Sequence, residues 1–137
     1  DLITTYQINV DGRSVRRRFA GGLLGHWAIW TQQAVRLLGE CHRSMRDPGM
    51  LPELLIRNGE VTDCNAVIFD PAHGFAGCIP AILEILRRQG LVQTNLCLDP
   101  AEVLSEGQAR ELDRICQSYP HLVDDRFVEA HRDEWLR

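Results

Sequence analysis

The first twenty residues carry the residue types and alternation of a β-hairpin. Residues 3–10 are rich in β-branched and aromatic side chains, which favour strands. Asp11-Gly12 follows, a dipeptide suited to a two-residue turn whose positions have positive φ. Ser14 to Phe19 is then expected to form the return strand. We therefore divide the chain into a hairpin over residues 1–20 and a helical region over residues 21–137.

After residue 20, apolar residues recur every three or four positions, which predicts amphipathic helices. The first helix is expected over residues 26–45 and ends before Asp47-Pro48-Gly49. Trp27 and Trp30 share its apolar face, and aromatic residues at this spacing indicate core positions.

The middle of the chain contains two further candidate elements. A short helix over residues 51–57 is expected to close at Asn58-Gly59, a pair suited to a left-handed cap. Residues 61–69 are compatible with a buried strand or a helix. We favour the helix because Asp63, Asn65 and Ala66 are poor strand residues.

In the second half of the chain, helix start and stop signals define three more helices. Pro80 suits a first helical turn, and Gly90-Leu91 suits a left-handed cap with its hydrophobic contact. Ser105 and Gln108 fit a capping box, and Asp124-Asp125 can cap a last helix. We predict that the apolar stripe after Ser105 packs on the stripe over residues 81–89, since burial of large apolar side chains favours pairing.

Composition narrows the functional classes. The 137 residues are 45% apolar and 25% charged, with a net charge of −4, and no apolar run approaches membrane-spanning length. Without an overall basic footprint, nucleic-acid binding is not expected. Five widely spaced cysteines predict reduced thiols in a cytoplasmic protein, and no spacing suggests a metal or another cofactor. The basic residues are all Arg, so no side-chain amine can form a Schiff base.

Three short segments are candidates for chemistry. Asp70 and His73 are three residues apart, so the carboxylate could orient the imidazole, or Asp70 could only cap the local turn. Residues 16–18 are all Arg and suit either an anion site or a charged edge strand. The loop containing Gly22, Gly25 and His26 could approach a small substrate closely, or form a plain strand-to-helix turn.

The second half of the chain resembles the C-terminal part of the dihydrodipicolinate synthase and N-acetylneuraminate lyase family. The residues that carry the resemblance are Asn65–Asp70, Phe75–Pro80, Ile85–Leu91, Leu98–Pro100 and Leu104–Gln108. Members of that family are TIM barrels with a helical C-terminal extension. They cleave or condense 2-keto acids through a Schiff-base Lys, with a Tyr as proton relay. Neither residue has a matching position in this chain, which has about half the length of a barrel.

The residue patterns predict a mainly α fold with a short N-terminal β-hairpin, and the hairpin departs from the family pattern. The resemblance implies that the helical region belongs to the C-terminal portion of a TIM-barrel lyase or aldolase. Such a region is catalytically incomplete alone. Its partners would be the missing barrel portion or other copies of the chain, and Gly22, Gly25 and His26 could form one wall of a keto-acid site. The alternative hypothesis is a free-standing helical interaction or oligomerisation domain without catalysis.

Overall fold

The computed structural model describes residues 2–22 and 28–137 of the chain. Within these ranges, a two-stranded antiparallel sheet precedes five α-helices, which confirms the mainly α fold with an N-terminal hairpin. No helix in this part of the chain combines the length and apolar character needed to cross a membrane. The helices are α1 (Thr31–Ser44), α2 (Leu51–Phe69), α3 (Cys78–Arg88), α4 (Gln108–Ser118) and α5 (Asp125–Trp135).

The hairpin joins strand β1 (Tyr6–Val10) to strand β2 (Arg13–Arg17). Asp11 and Gly12 form its turn with φ angles of 49° and 73°, which confirms the predicted positive-φ turn. Opposing residues in the register share a face of the sheet. One face carries Tyr6, Ile8, Val10, Arg13, Val15 and Arg17, and the other carries Gln7, Asn9, Ser14 and Arg16.

Helices α2, α3 and α4 contact one another and enclose most of the core. Ile85 of α3 is 2% exposed, while Leu112 and Ile115 of α4 are completely buried. The predicted pairing of the α3 and α4 stripes is therefore confirmed. The buried apolar cluster comprises Ile29, Trp30, Cys64, Val67, Ile68, Ala81, Ile85, Leu112, Ile115 and Leu122.

Helix α1 begins later than predicted, at Thr31 instead of residue 26. Trp30 precedes it with a φ of 51°, a left-handed conformation that cannot belong to an α-helix. Trp30 is only 2% exposed, as expected for a core residue, so burial of its ring stabilises this conformation. Trp27 lies outside the described residues.

The predicted helix end at Asn58-Gly59 is wrong. Helix α2 continues through this pair, and the segment over residues 61–69 is helical, as favoured from its composition. Gly in a helix interior costs about 1 kcal/mol relative to Ala. Leu54, on one side of the pair, and Cys64 and Ile68, on the other, bury their side chains along α2. This burial outweighs the local penalty and keeps the helix continuous.

The predicted cap at Gly90 is confirmed. Gly90 has a φ of 74°, its N–H donates to Arg87 O, and the N–H of Leu91 donates to Leu86 O. This pair of hydrogen bonds is the Schellman motif. Helix α3 begins at Cys78, two residues before Pro80, whose missing N–H still falls within the first turn.

Two predicted caps form differently from the expectation. Helix α4 starts after Gly107, and only half of the capping box is present: the N–H of Ser105 donates to Gln108 Oε1 at 3.0 Å. Asp124 precedes α5, but its carboxylate accepts from the N–H of Gln32 on α1 at 3.1 Å instead of capping α5. In both places a side chain expected to act locally bonds to a distant element instead. Ser105 Oγ donates to Asp70 Oδ2, and Asp124 accepts from Gln32.

Candidate functional site

Asp70 lies at the junction between α2 and α3. It follows the last residue of α2 and precedes a single 3₁₀ turn over Pro71–His73. Its backbone is left-handed, with a φ of 54°, and its side chain is 5% exposed. Asp tolerates this conformation better than most residues, which suits it to a sharp change of chain direction.

Three donors converge on the Asp70 carboxylate. Oδ1 accepts from His73 Nδ1 at 2.6 Å, and Oδ2 accepts from Ser105 Oγ at 2.5 Å and from the N–H of Gly77 at 3.1 Å. Burial is the largest single influence and opposes ionisation, but the hydrogen bonds from Ser105, His73 and Gly77 together outweigh it. The pKa of the Asp70 carboxyl is consequently lowered. Asp70 therefore acts as an ionised acceptor.

Gln108 completes the junction from the first turn of α4. Its Nε2 donates to Val67 O at 2.9 Å and to Gly77 O at 3.2 Å, and its Oε1 accepts from the N–H of Ser105. Every polar atom of this buried amide is thus bonded, as burial requires. The junction of Asp70, Gly77, Ser105 and Gln108, here called the Asp70 junction, holds together the ends of three helices.

His73 is the part of this arrangement that reaches solvent. Its side chain is 55% exposed and borders a cleft of about 530 Å³ between α2 and α4. Because an ionised carboxylate can only accept, the hydrogen bond to Asp70 places a proton on Nδ1. In the neutral imidazole, Nε2 then carries the lone pair. Asp70 therefore fixes the orientation of the His73 ring at the edge of the cleft.

A second polar group lines the same cleft. Arg114 Nη1 and Nη2 donate to the two Asp63 oxygens at 2.8 and 2.9 Å, and Tyr119 donates to Asp63 Oδ2 at 2.8 Å. The Arg114 hydrogen bond is the main reason that the pKa of Asp63 is lowered. The hydrogen bond to Asp63 in turn raises the pKa of Tyr119. These groups satisfy one another and join α2 to α4.

The His73–Asp70 pair does not form a nucleophilic triad. Ser105 Oγ donates to Asp70 and not to His73. Cys78 is half-buried, and burial raises the pKa of its thiol, which disfavours the thiolate. Among residues 2–22 and 28–137, no three His, Cys, Asp or Glu side chains are grouped so as to hold a metal ion.

The structure brings only some of the predicted site residues together. Asp70 and His73 form the predicted pair, and Asp70 also caps the local backbone through Gly77, so both interpretations of this segment hold. Gly22 is exposed and outside any helix or strand. Gly25 and His26, the other predicted substrate-binding positions, lie outside the described residues.

Neither the predicted Arg segment over residues 16–18 nor the adjacent residues Cys41 and His42 belong to the Asp70 junction. Arg16, Arg17 and Arg18 are all exposed on or just after β2, and Arg17 Nη1 donates to Arg16 O. Cys41 is buried, whereas His42 is exposed, with Nε2 3.2 Å from Ala20 O. This pair therefore does not form a shared site.

Gly77, Ser105 and Gln108 were not expected to meet Asp70. Ser105 is 35 residues from Asp70 along the chain, and Gln108 bonds to a backbone carbonyl 41 residues away. Ser105 and Gln108 were recognised only as a local cap. No local pattern indicates contacts at these separations, since they depend on how α2, α3 and α4 pack.

Comparisons of the chain with protein-family models, curated proteins and solved structures found no match.

Proposed function

We propose that the chain is the C-terminal portion of a Schiff-base lyase or aldolase that acts on 2-keto acids, and that it is catalytically incomplete alone. Its own part would be structural: the helices pack against the barrel portion that supplies the reactive Lys. Gly22, Gly25 and His26 are our candidates for one wall of the keto-acid site. The His73–Asp70 pair has no assigned step in this reaction.

The observation that supports contact with further protein, which the proposal requires, is the uncovered apolar face of the hairpin. Ile8 and Val10 are 46% and 50% exposed, and the buried cluster contains no residue of β1 or β2. A lone two-stranded hairpin is at best marginally stable in water unless its apolar face packs against something. Further protein covering this face would supply that stability.

Helix α2 presents a second surface of the same kind. Leu55 and Ile56 are 70% and 65% exposed, and Leu51, one turn before Leu55, is 38% exposed. A contiguous exposed apolar surface is suited to contact with other protein. The barrel portion or another copy of the chain could cover them.

Three of the five segments that carry the family resemblance are joined by hydrogen bonds at the Asp70 junction. Asp70 ends the first segment, Gly77 lies in the second and Ser105 in the last, and Gly77 and Ser105 each donate a hydrogen bond to Asp70.

Borohydride trapping tests this proposal. The natural protein, purified with whatever accompanies it, is treated with labelled pyruvate and borohydride, and the adduct is located by peptide mass spectrometry. The isolated 137-residue chain and a sample without borohydride serve as controls. We expect a reduced adduct on a Lys outside these 137 residues, and none on a side chain within them, because they contain no Lys.

Two results would contradict the proposal. One is a natural protein of 15.6 kDa that purifies without a companion and traps no pyruvate; this would favour the free-standing interaction domain. The other is pyruvate trapped on this chain at any position except the α-amino group of Asp1.

A further inference from the structure

A second cavity lies between the start of α1, the end of α3 and helix α5. Its volume is about 520 Å³, within the usual range for sites that bind small molecules. The lining is largely apolar. The apolar side chains that matter here are Trp30, Val35, Leu86, Leu91, Phe127 and Trp135.

One carboxylate lines this apolar cavity. Asp124 is 5% exposed; its Oδ2 accepts from the N–H of Gln32 at 3.1 Å, and its Oδ1 accepts from Gln89 Nε2 at 2.9 Å. Both donors are neutral, and none of the ion pairs found among the described residues involves Asp124. Buried charges are normally paired with an opposite charge. Each carboxylate oxygen can also accept another hydrogen bond.

Among the described residues of the lining, no cationic side chain bonds to Asp124. Arg36 is the only Arg or Lys among the described residues of this lining, and it is exposed. Its Nη1 lies 3.4 Å from Gln33 Oε1, and Gln33 is not part of the lining. Asp124 is the only Asp or Glu among the described residues of the lining.

Three aromatic side chains line the cavity, and two of them, Phe127 and Trp135, also contact the ring of His131. Trp30, Phe127 and Trp135 all line the cavity, and the rings of Phe127 and Trp135 are 5.7 Å apart between centroids. The faces of such rings attract cations through their quadrupole, Trp most strongly. A carboxylate and several aromatic rings in one apolar cavity are complementary to an organic cation.

We propose that this cavity binds a small organic cation, with a primary ammonium group bonded to Asp124 and an apolar body against Leu86, Leu91 and Trp135. The apolar surface selects against inorganic cations, and the carboxylate selects against neutral and anionic molecules of the same shape. This site is separate from the Asp70 junction and does not depend on the proposed lyase function.

Isothermal titration calorimetry with three matched probes tests the ligand class. Phenethylammonium, phenethyl alcohol and hydrocinnamate have similar apolar bodies and differ in charge. We expect saturable binding of phenethylammonium, and binding of the other two that is at least about tenfold weaker, since a charge-assisted hydrogen bond is lost. Equal binding of all three probes, or no saturable binding of the ammonium, overturns the proposal.

Two variants locate the site. Asp124→Asn keeps the shape of the side chain but removes its charge, and Val35→Trp places a large side chain at the cavity wall from a position that is 57% exposed. Each should weaken phenethylammonium binding at least about tenfold. Asp133→Asn and Val103→Trp, at exposed positions outside the lining, are the matched controls and should bind as the wild type does.

Asp124 also holds α1, so Asp124→Asn could unfold. In that case the three probes with the wild type, together with Val35→Trp and Val103→Trp, decide the question. Unchanged phenethylammonium binding by a folded Val35→Trp protein would contradict the proposed site.

Discussion

At the scale of single residues, Gly77 shows why the Asp70 junction tolerates no side chain. A Cβ at this buried position would overlap Gln108 Oε1 and lie 2.8 Å from Asp70 Oδ2. Both neighbouring groups are held by several hydrogen bonds, so neither can move without breaking one. A side chain at position 77 would therefore destabilise the fold through crowding and not through backbone strain, since the φ of Gly77 is −84°.

Gly77→Ala should therefore lower the free energy of unfolding by about 1–3 kcal/mol, the usual range for overpacking. Urea unfolding followed by circular dichroism measures the change. Gly59→Ala is the matched control, since that position is exposed, lies within α2 and has nothing within 4 Å of the added Cβ. It should raise stability by about 0.5–1 kcal/mol through helix propensity. Equal effects of the two substitutions would contradict this account of the junction.

At the scale of secondary-structure elements, an acidic centre stabilises the end of α3. Glu84 is 6% exposed and accepts from Arg87 Nε at 2.8 Å and from Arg88 Nε at 2.8 Å. The Arg87 hydrogen bond is the largest of the influences that lower the pKa of Glu84 to about 2. Arg88 also donates to Asp113 at 2.6 Å, so the network connects α3 to α4.

This network predicts a particular acid sensitivity. The pKa of Glu84 is about 2 in the folded protein, compared with an ordinary value of 4.5. The stability that ionised Glu84 contributes to the fold is therefore complete above pH 4.5 and is lost as the pH falls toward 2. Glu84→Gln should destabilise the protein near neutral pH by about 1–3 kcal/mol and reduce the loss of stability across that pH range.

Urea midpoints measured between pH 7 and pH 2 provide the test. Glu129→Gln on the exposed side of α5 is the control and should follow the wild type. Asp63 and Asp70 also have lowered pKa values, so the Glu84 variant should keep part of the acid sensitivity. A variant whose stability falls as steeply as that of the wild type would refute the role of Glu84.

At the scale of the whole molecule, the helical core and the hairpin differ in how their apolar residues are used. The core residues of α2, α3 and α4 bury one another, whereas the apolar face of the hairpin remains exposed. The edge-to-face contact between Tyr6 and Phe19, with ring centroids 6.0 Å apart, lies at one end of the hairpin. The helical core therefore buries its own apolar residues, whereas the hairpin has an exposed apolar face that is suited to contact with other protein.

Substitutions at Ile8 in the hairpin and Ile85 in the core should show how differently these two parts contribute to stability. Thr keeps a high strand propensity, and Ile8 is already 46% exposed. The free energy of unfolding of Ile8→Thr, measured by thermal denaturation, should therefore change by less than about 0.5 kcal/mol. Ile85→Thr, at a position that is 2% exposed, should cost several times more, because it buries a hydroxyl and removes core volume. Comparable losses in the two variants would show that the hairpin packs on the core.

The sequence by itself determined the features that depend on adjacent residues. The Asp11-Gly12 turn, the Gly90 cap and the Asp70–His73 pair were all predictable, because their partners lie within a few positions of one another. Helical periodicity likewise identified the stripes that α3 and α4 bury, since a continuous apolar face must be covered. These signals are short-range and survive without knowledge of the packing.

Only the tertiary structure decided how those pieces are joined. Asn58-Gly59 was a plausible helix end by local chemistry, yet burial on both sides keeps α2 continuous. Asp124 does not cap α5, and its carboxylate instead accepts from the N–H of Gln32, 92 residues away. Ser105 likewise bonds to Asp70 across 35 residues. Whether a side chain forms a local cap or bonds to a distant group depends on which partner the packed helices bring within hydrogen-bond distance. Neighbouring residues in the sequence do not indicate how distant helices pack.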